Sequence, residues 1–168
     1  MKENHPFEFD IDEAVRRYAD MVYRLALLNV KNHSDAEDVF QEVFLKLFRY
    51  KESIQSEEHL KAWLIRVTIN QSKTLTTSAW KRRQVSLDMS GFANEHQEEK
   101  EYAKVYDMVR SLPDKYRQVI HLYYYEELSI KEIAEILGKK EATVKTRLVR
   151  ARKLLSQKLK GVRFDERI

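Results

Sequence analysis

Residues 128–155 read LSIKEIAEILGKKEATVKTRLVRARKLL, and no other part of the chain limits the fold as tightly. Ser129 and Glu132 have the spacing of a capping box, in which each side chain satisfies a backbone amide that a new helix leaves open. Ile130, Ile133, Ala134 and Leu137 then supply one apolar face. Gly138 ends the helix, because glycine takes the left-handed backbone of a helix stop without steric cost. The next helix starts near Glu141 and turns Val144, Leu148, Ala151 and Leu155 inward, so Lys145, Arg147, Arg150, Arg152 and Lys153 cannot share that face. Two helices with a break of about three residues must cross sharply. This is the helix-turn-helix pattern, whose second helix enters the major groove of DNA. Short helix pairs also serve as plain packing units.

Charge adds a second observation, though a basic helix can also be simply solvated. Residues 139–168 hold eleven Lys and Arg against Glu141, Asp165 and Glu166, a net +8, so the rest of the chain is −4 within an overall +4. Basic charge gathered at one end of a chain points to a polyanion partner.

The remaining 127 residues before this stretch are also helical in pattern. With two prolines and few alternating β-branched runs there is no convincing strand, and the class is all-α. A first helix is expected from about Asp12 to Val30, with Val15, Tyr18, Ala19, Val22 and Ala26 on its buried face. A second opens at a capping box of Ser34 and Glu37, and Ala36, Val39, Phe40, Val43, Phe44, Leu47 and Phe48 make its core stripe. A third starts near Glu57 or Glu58 and passes through HLKAWLIRVTINQSKTL. Residues 84–101, with five acids against Lys100 and weak periodicity, read as a linker. Beyond it a helix runs to about Ser111, and Pro113 is pre-set for the first turn of another. The expected architecture is two small helical domains, residues 10–83 and 102–168, joined by a flexible linker.

Several function classes are excluded by what the sequence lacks. Zero cysteines rule out a disulfide framework, a thiolate nucleophile and any Cys-ligated metal, and they fit a reducing compartment. No apolar run approaches the ~20 residues of a membrane span, and MKENHPFEFD has no apolar signal core, so the expected location is cytoplasmic. Five scattered His, no Gly-rich phosphate loop and no Ser-centred elbow leave no constellation for catalysis, a metal or a cofactor.

Three segments together carry a resemblance. SLPDKYRQVIHLYYYEELSIKEIAEILGKKEATVKTRLVRARKLL resembles region 4 of bacterial sigma factors, DAEDVFQEVFLKLFRY resembles region 2.2, and AWLIRVTIN resembles the helix of regions 2.3 to 2.4. Found in that order over nearly the whole chain, they are similar to the extracytoplasmic-function (ECF) group of the sigma-70 family. Two positions depart from the family pattern. Glu127 stands where Gly is usual, and Lys139 where an apolar residue is common.

The resemblance implies partners and roles. Region 2.2 would dock on the β′ clamp of core RNA polymerase through Asp38, Gln41, Glu42, Leu45 and Arg49, while region 4 engages the β flap. The loop from Ile54 to Glu58, including Ser56, together with Asn70 on the following helix, would capture a flipped base of the −10 element. The polar run Thr68, Asn70, Gln71, Ser72, Thr74, Thr76, Thr77 and Ser78 would line the strand, and Lys81, Arg82 and Arg83 would follow the phosphate backbone. Trp63 is expected in the core. In region 4, Lys145, Thr146 and Val149 would face base edges of the −35 element, with Thr143, Arg147 and Arg150 nearer phosphates. An anti-sigma factor, often membrane-anchored in the family, completes the implied partners; no small-molecule substrate is implied. Two rivals stand beside this reading. A repressor-type helix-turn-helix factor would bind DNA without polymerase, and an all-α adapter would not bind DNA at all.

Overall fold

The computed structural model describes residues 7–30, 32–80 and 97–159, and among them every regular element is helical. They fall into two compact units divided between Gly91 and Phe92. Unit 1 holds α1 (Ile11–Val30), α2 (His33–Tyr50) and α3 (Glu57–Trp80); unit 2 holds α4 (Gln97–Arg110), α5 (Asp114–Ile120), α6 (Ile130–Leu137) and α7 (Glu141–Lys158). Helix α4 thus begins inside the segment read as linker, and residues 81–96 lie outside the described residues.

In unit 1 the three helices pack mutually around Val22, Leu25 and Leu28 from α1, Val43 and Leu47 from α2, and Leu60, Leu64 and Ile65 from α3, all at 1% exposure or less. Each such side chain contributes about 1.5–3 kcal/mol by leaving water. Helix α1 packs against both partners, so its buried face is broader than one stripe. Ala14, Met21, Leu25, Leu27 and Leu28 are buried along with Tyr18, Val22 and Ala26, while Val15 and Ala19 sit at the half-buried margin.

The cap of α2 differs from expectation. Asn32 stands at the N-cap, its side-chain oxygen accepting from the amide of Asp35 at 2.8 Å while its Nδ2 donates to the Asp35 carboxylate at 2.8 Å. Because the helix starts at His33, Ser34 is already inside it and exposed. The stripe also ends early: Ala36, Val39, Val43, Phe44 and Leu47 are buried, Phe40 is half-buried, and Phe48 is 67% exposed. Phe40, Phe44 and Phe48 lie four residues apart, and each such step turns about 40° further around the helix, which carries Phe48 off the core side.

Helix α3 keeps its polar run helical by back-bonding. Thr68 Oγ1 donates to Leu64 O, Ser72 Oγ to Thr68 O and Thr76 Oγ1 to Ser72 O, at 2.6–2.8 Å. Thr68 and Ser72 are buried, so they serve the core and do not line a strand. Trp63 is half-buried.

In unit 2 the corner between α4 and α5 is organised by Arg117, which is 2% exposed. Its guanidinium donates to the carbonyls of Arg110 and Leu112 and pairs with Asp114. Pro113 is the N-cap of α5 and not its first helical residue. After Ile120 the chain continues as one π turn, His121–Tyr125, closed by Glu126 N donating to His121 O at 3.2 Å. The buried His121 ring sits against Tyr125 and meets Glu126 Oε1 at 3.2 Å.

The capping box at Ser129 is complete: Ser129 Oγ accepts from Glu132 N at 3.1 Å and Ser129 N donates to Glu132 Oε2 at 2.7 Å. Helix α6 buries Ile133, Ala134 and Ile136, with Ile130 and Leu137 half-buried. Gly138 takes φ 62° and ψ 41°, and Lys139 N donates back to Ala134 O at 2.9 Å, a left-handed stop that fixes where α7 begins. Glu127 also has positive φ, 54°, at the position where the family pattern has glycine.

These two left-handed residues make opposite predictions. Gly138→Ala meets no atom within 4 Å, so its cost is backbone strain alone, about 1–2 kcal/mol. Glu127→Gly relieves the same strain and leaves stability unchanged or up to about 1 kcal/mol higher after the glycine's greater unfolded freedom is counted. Urea midpoints of the two variants, at constant m value, check both signs.

Candidate functional site

Three outward faces collect the residues singled out from sequence. The first is the outer side of α2. Asp38, Gln41, Leu45 and Arg49 are exposed there and Glu42 is half-buried, following the helix at steps of three and four. Leu45 is 53% exposed and Phe48, one turn on, 67%. Leu45 and Phe48 are thus two neighbouring apolar side chains left in water on a helix that has a well-packed core. Phe48 was missed because its spacing looked like core. Its angular position, closer to Gln41 and Leu45 than to Ala36, could have placed it.

The second face belongs to α3 and the loop before it. Asn70 is exposed, and Arg66, Lys73, Thr74 and Thr77 are exposed on the same side, a cationic and hydroxyl-bearing strip around a single amide. Gln71 is half-buried and accepts from Lys46 Nζ of α2 at 2.8 Å. In the loop, Ile54 is 2% exposed and its amide donates to Lys51 O at 3.2 Å. An apolar side chain that anchors its loop in the core cannot also present itself to DNA, which corrects its assignment. Ser56 is half-buried and its Oγ accepts from His59 N at 3.0 Å, so it caps α3. Gln55, between them, is the exposed member, with its amide N–H donating to His59 Nδ1 at 3.1 Å and its side chain turned to solvent. The flanking Glu57 accepts from Tyr18 OH and Arg17 Nη1 of α1, each at 2.5 Å. These bonds hold the Glu57 carboxyl below the usual range, and burial with the same bond pushes the Tyr18 phenol up to about 12. Ser78 and Lys81, Arg82 and Arg83 fall where side chains lie outside the described residues.

The third face is the outer side of α7. Val144, Leu148, Ala151 and Leu155 are buried as expected, and Lys145, Thr146, Val149, Arg150 and Lys153 are exposed opposite them. Val149, at 60% exposure, is an apolar side chain set among cations, as suits contact with a thymine methyl. Thr143 and Arg147 occupy the half-buried margin. Glu141 is the helix's one acid, and no side chain caps its N-terminus. Among the described residues no His, Asp and Glu cluster could hold a metal ion, and no helix is long and apolar enough to cross a membrane.

Comparison with known proteins places the chain in a family. Residues 14–82 match the family profile described as Sigma-70 region 2, and residues 102–155 that of Sigma-70, region 4. RNA polymerase sigma factor SigV of Bacillus subtilis is 33% identical over 134 residues, 79% of this chain and 81% of that protein. ECF RNA polymerase sigma factor SigM of the same organism is 33% identical over 153 residues, 86% of this chain and 92% of that one. In fold, the chain is similar to the sigma factor RpoE of Bartonella quintana, solved in complex with the anti-sigma factor NepR, with a TM-score of 0.73 at 21% identity over 92% of this chain and 99% of that chain. It is also similar to CnrH, solved with the cytosolic domain of CnrY, with a TM-score of 0.67 at 23% identity over 91% and 89% of the two chains. With both signature regions in order and relatives matched over most of their length, the chain belongs to the sigma-70 family of RNA polymerase sigma factors, in its ECF group.

Proposed function

We propose that this sigma factor binds core RNA polymerase through the outer face of α2, opens the −10 element with α3 and the loop before it, and reads the −35 element with α7. Residues 10–83 then do the work of region 2 and residues 102–168 that of region 4. The observation that carries the reading is the α7 face, where Lys145, Thr146, Val149 and Arg150 stand together in water behind a helix stop that sets their approach. The chain directs initiation and performs no chemistry of its own. It works where polymerase and chromosome are, in the cytoplasm. RpoE of B. quintana was solved with an anti-sigma factor, and the same kind of partner, binding this chain and withholding it from polymerase, is part of the proposal.

On α2, Asp38 and Glu42 supply charge and Leu45 and Phe48 supply apolar area, and all four lie off the core. Reversing both acids to Lys removes core RNA polymerase from pull-downs of the tagged chain, and Leu45→Ala with Phe48→Ala does the same, while the melting temperature stays at the wild-type value. Wild-type recovery of polymerase by either double variant overturns this interface. A tagged wild-type chain that binds promoter DNA tightly with no polymerase present favours the repressor-type rival.

On α7, phosphate contacts position and base contacts specify. Arg150→Ala weakens binding to every sequence and lowers the slope of log affinity against log salt by about one unit. Lys145→Ala relaxes discrimination at one or two −35 positions by roughly 1–3 kcal/mol. Salt titrations and a base-substitution scan separate the two, and equal losses that ignore sequence contradict the division of labour.

On α3, a flipped base forgoes stacking and pairing, and the protein must return that energy by contact with the base edge. The amides of Asn70 and Gln55 each offer a donor and an acceptor. Asn70→Ala leaves core binding and a duplex −35 fragment unaffected but stops opening of an intact promoter, and a template pre-melted across the −10 element restores it. Permanganate reactivity on the two templates reads the result. Normal opening of the duplex removes Asn70 from the role.

A further inference from the structure

The loop between α2 and α3 is held at four points, and three of them are local. Ile54 is sunk in the core, Gln55 N–H is bonded to the His59 ring, and Ser56 caps the first turn of α3. The fourth comes from a different helix. Glu57, the first residue of α3, uses one carboxylate oxygen to accept from both Tyr18 OH and Arg17 Nη1 of α1, at 2.5 Å each. Arg17 in turn holds Glu13 Oε1 with its other nitrogen at 3.1 Å.

We propose that Arg17 and Tyr18 are positioning residues for promoter opening: acting through Glu57, they fix the start of α3 against α1 so that the loop stands in its receiving conformation before DNA arrives. The inference rests on the reading of residues 54–58 and Asn70 given above, and adds α1 to it. A loop that must order itself on binding gives up part of its contact energy to that ordering, and a preformed loop does not. Fold stability is a poor explanation for the cluster. The Arg17 and Glu57 side chains are 52% and 43% exposed, and ion pairs in water add little to stability. Tyr18 is different, since its ring is buried in the α1 face while its hydroxyl emerges at the carboxylate. Two donors converging from adjacent residues on one oxygen define a point in space more sharply than a flexible pair would. With the phenol raised and the carboxyl lowered, the donor keeps its proton and the acceptor its charge throughout the neutral range.

Tyr18→Phe removes the hydroxyl and keeps the ring; Glu57→Gln removes the charge and keeps the shape. Each is assembled with core polymerase and its affinity measured for a single-stranded non-template oligonucleotide spanning the −10 element, intact or made abasic at each position in turn. Gln55→Ala and Asn70→Ala are measured alongside. Both α1–α3 variants lose about tenfold on the intact strand, the scale of an ordering cost returned to binding. They lose nothing further on the strand lacking the captured base, and their melting temperature and core affinity match the wild type. Combining them adds no further loss, because one cluster is broken either way. Equal losses on intact and abasic strands with a lowered melting temperature reduce the cluster to a structural tie and overturn the proposal. Wild-type affinity in Tyr18→Phe and Glu57→Gln, with a base-dependent loss in Gln55→Ala or Asn70→Ala, removes the positioning role and leaves the loop reading standing. If no abasic position weakens the wild-type protein, the loop reading itself falls and takes the positioning role with it.

Discussion

A helix in a bundle of three or four can bury only one side, and everything else in this molecule follows from that division. The core side needs apolar volume at helical spacing, so it accepts little variation. The outer side is released from packing and can carry whatever a partner requires. In α7 the split is complete: four apolar side chains at steps of three and four hold the helix down, and the cations and Val149 opposite them take no part in the fold. In α2 the same split leaves Leu45 and Phe48 in water beside Asp38 and Gln41. Function can therefore be altered on either helix with little disturbance of its core.

Several polar groups that enter the interior are bound there, although Arg117 Nε and His121 Nδ1 are buried with no hydrogen-bond partner among the described residues. Arg117 is the largest case, a cation withdrawn from water whose desolvation is offset by Asp114 and by two carbonyls at the α4–α5 corner. Those carbonyls belong to Arg110 and Leu112, where the chain leaves one helix and has not yet begun the next. Thr68 and Ser72 reach the same end more cheaply by bonding the turn behind them.

How much was readable from sequence depended on whether the cause was local. The capping box, the left-handed Gly138 and the inward face of α7 are decided within a few residues, and the sequence pattern located all of them. Phe48 was misplaced because spacing was followed without the angle that accumulates along it. Asn32 was passed over as a cap because Ser34 and Glu37 matched a familiar spacing, though Asn caps as well as Ser. Ile54 was assigned to DNA from its place in a loop, whereas a lone apolar residue between two packed helices is drawn into their core. The Tyr18, Arg17 and Glu57 cluster joins residues about 40 apart with no period linking them, and only the packing of α1 on α3 brings it together.

The element order also decides when each unit can exist during synthesis. Unit 1 has all three of its described helices once α3 is made. Unit 2 is different, because α5 and α6 both pack on α7, and Lys158 near the end of α7 reaches back to Ser111 with a 2.6 Å bond across 47 residues. Until α7 leaves the ribosome, α5 and α6 lack the helix on which both pack. Growth from the N-terminus thus completes unit 1 first and holds back unit 2, so a chain cut short within α7 carries a finished three-helix unit beside an unfinished helix-turn-helix.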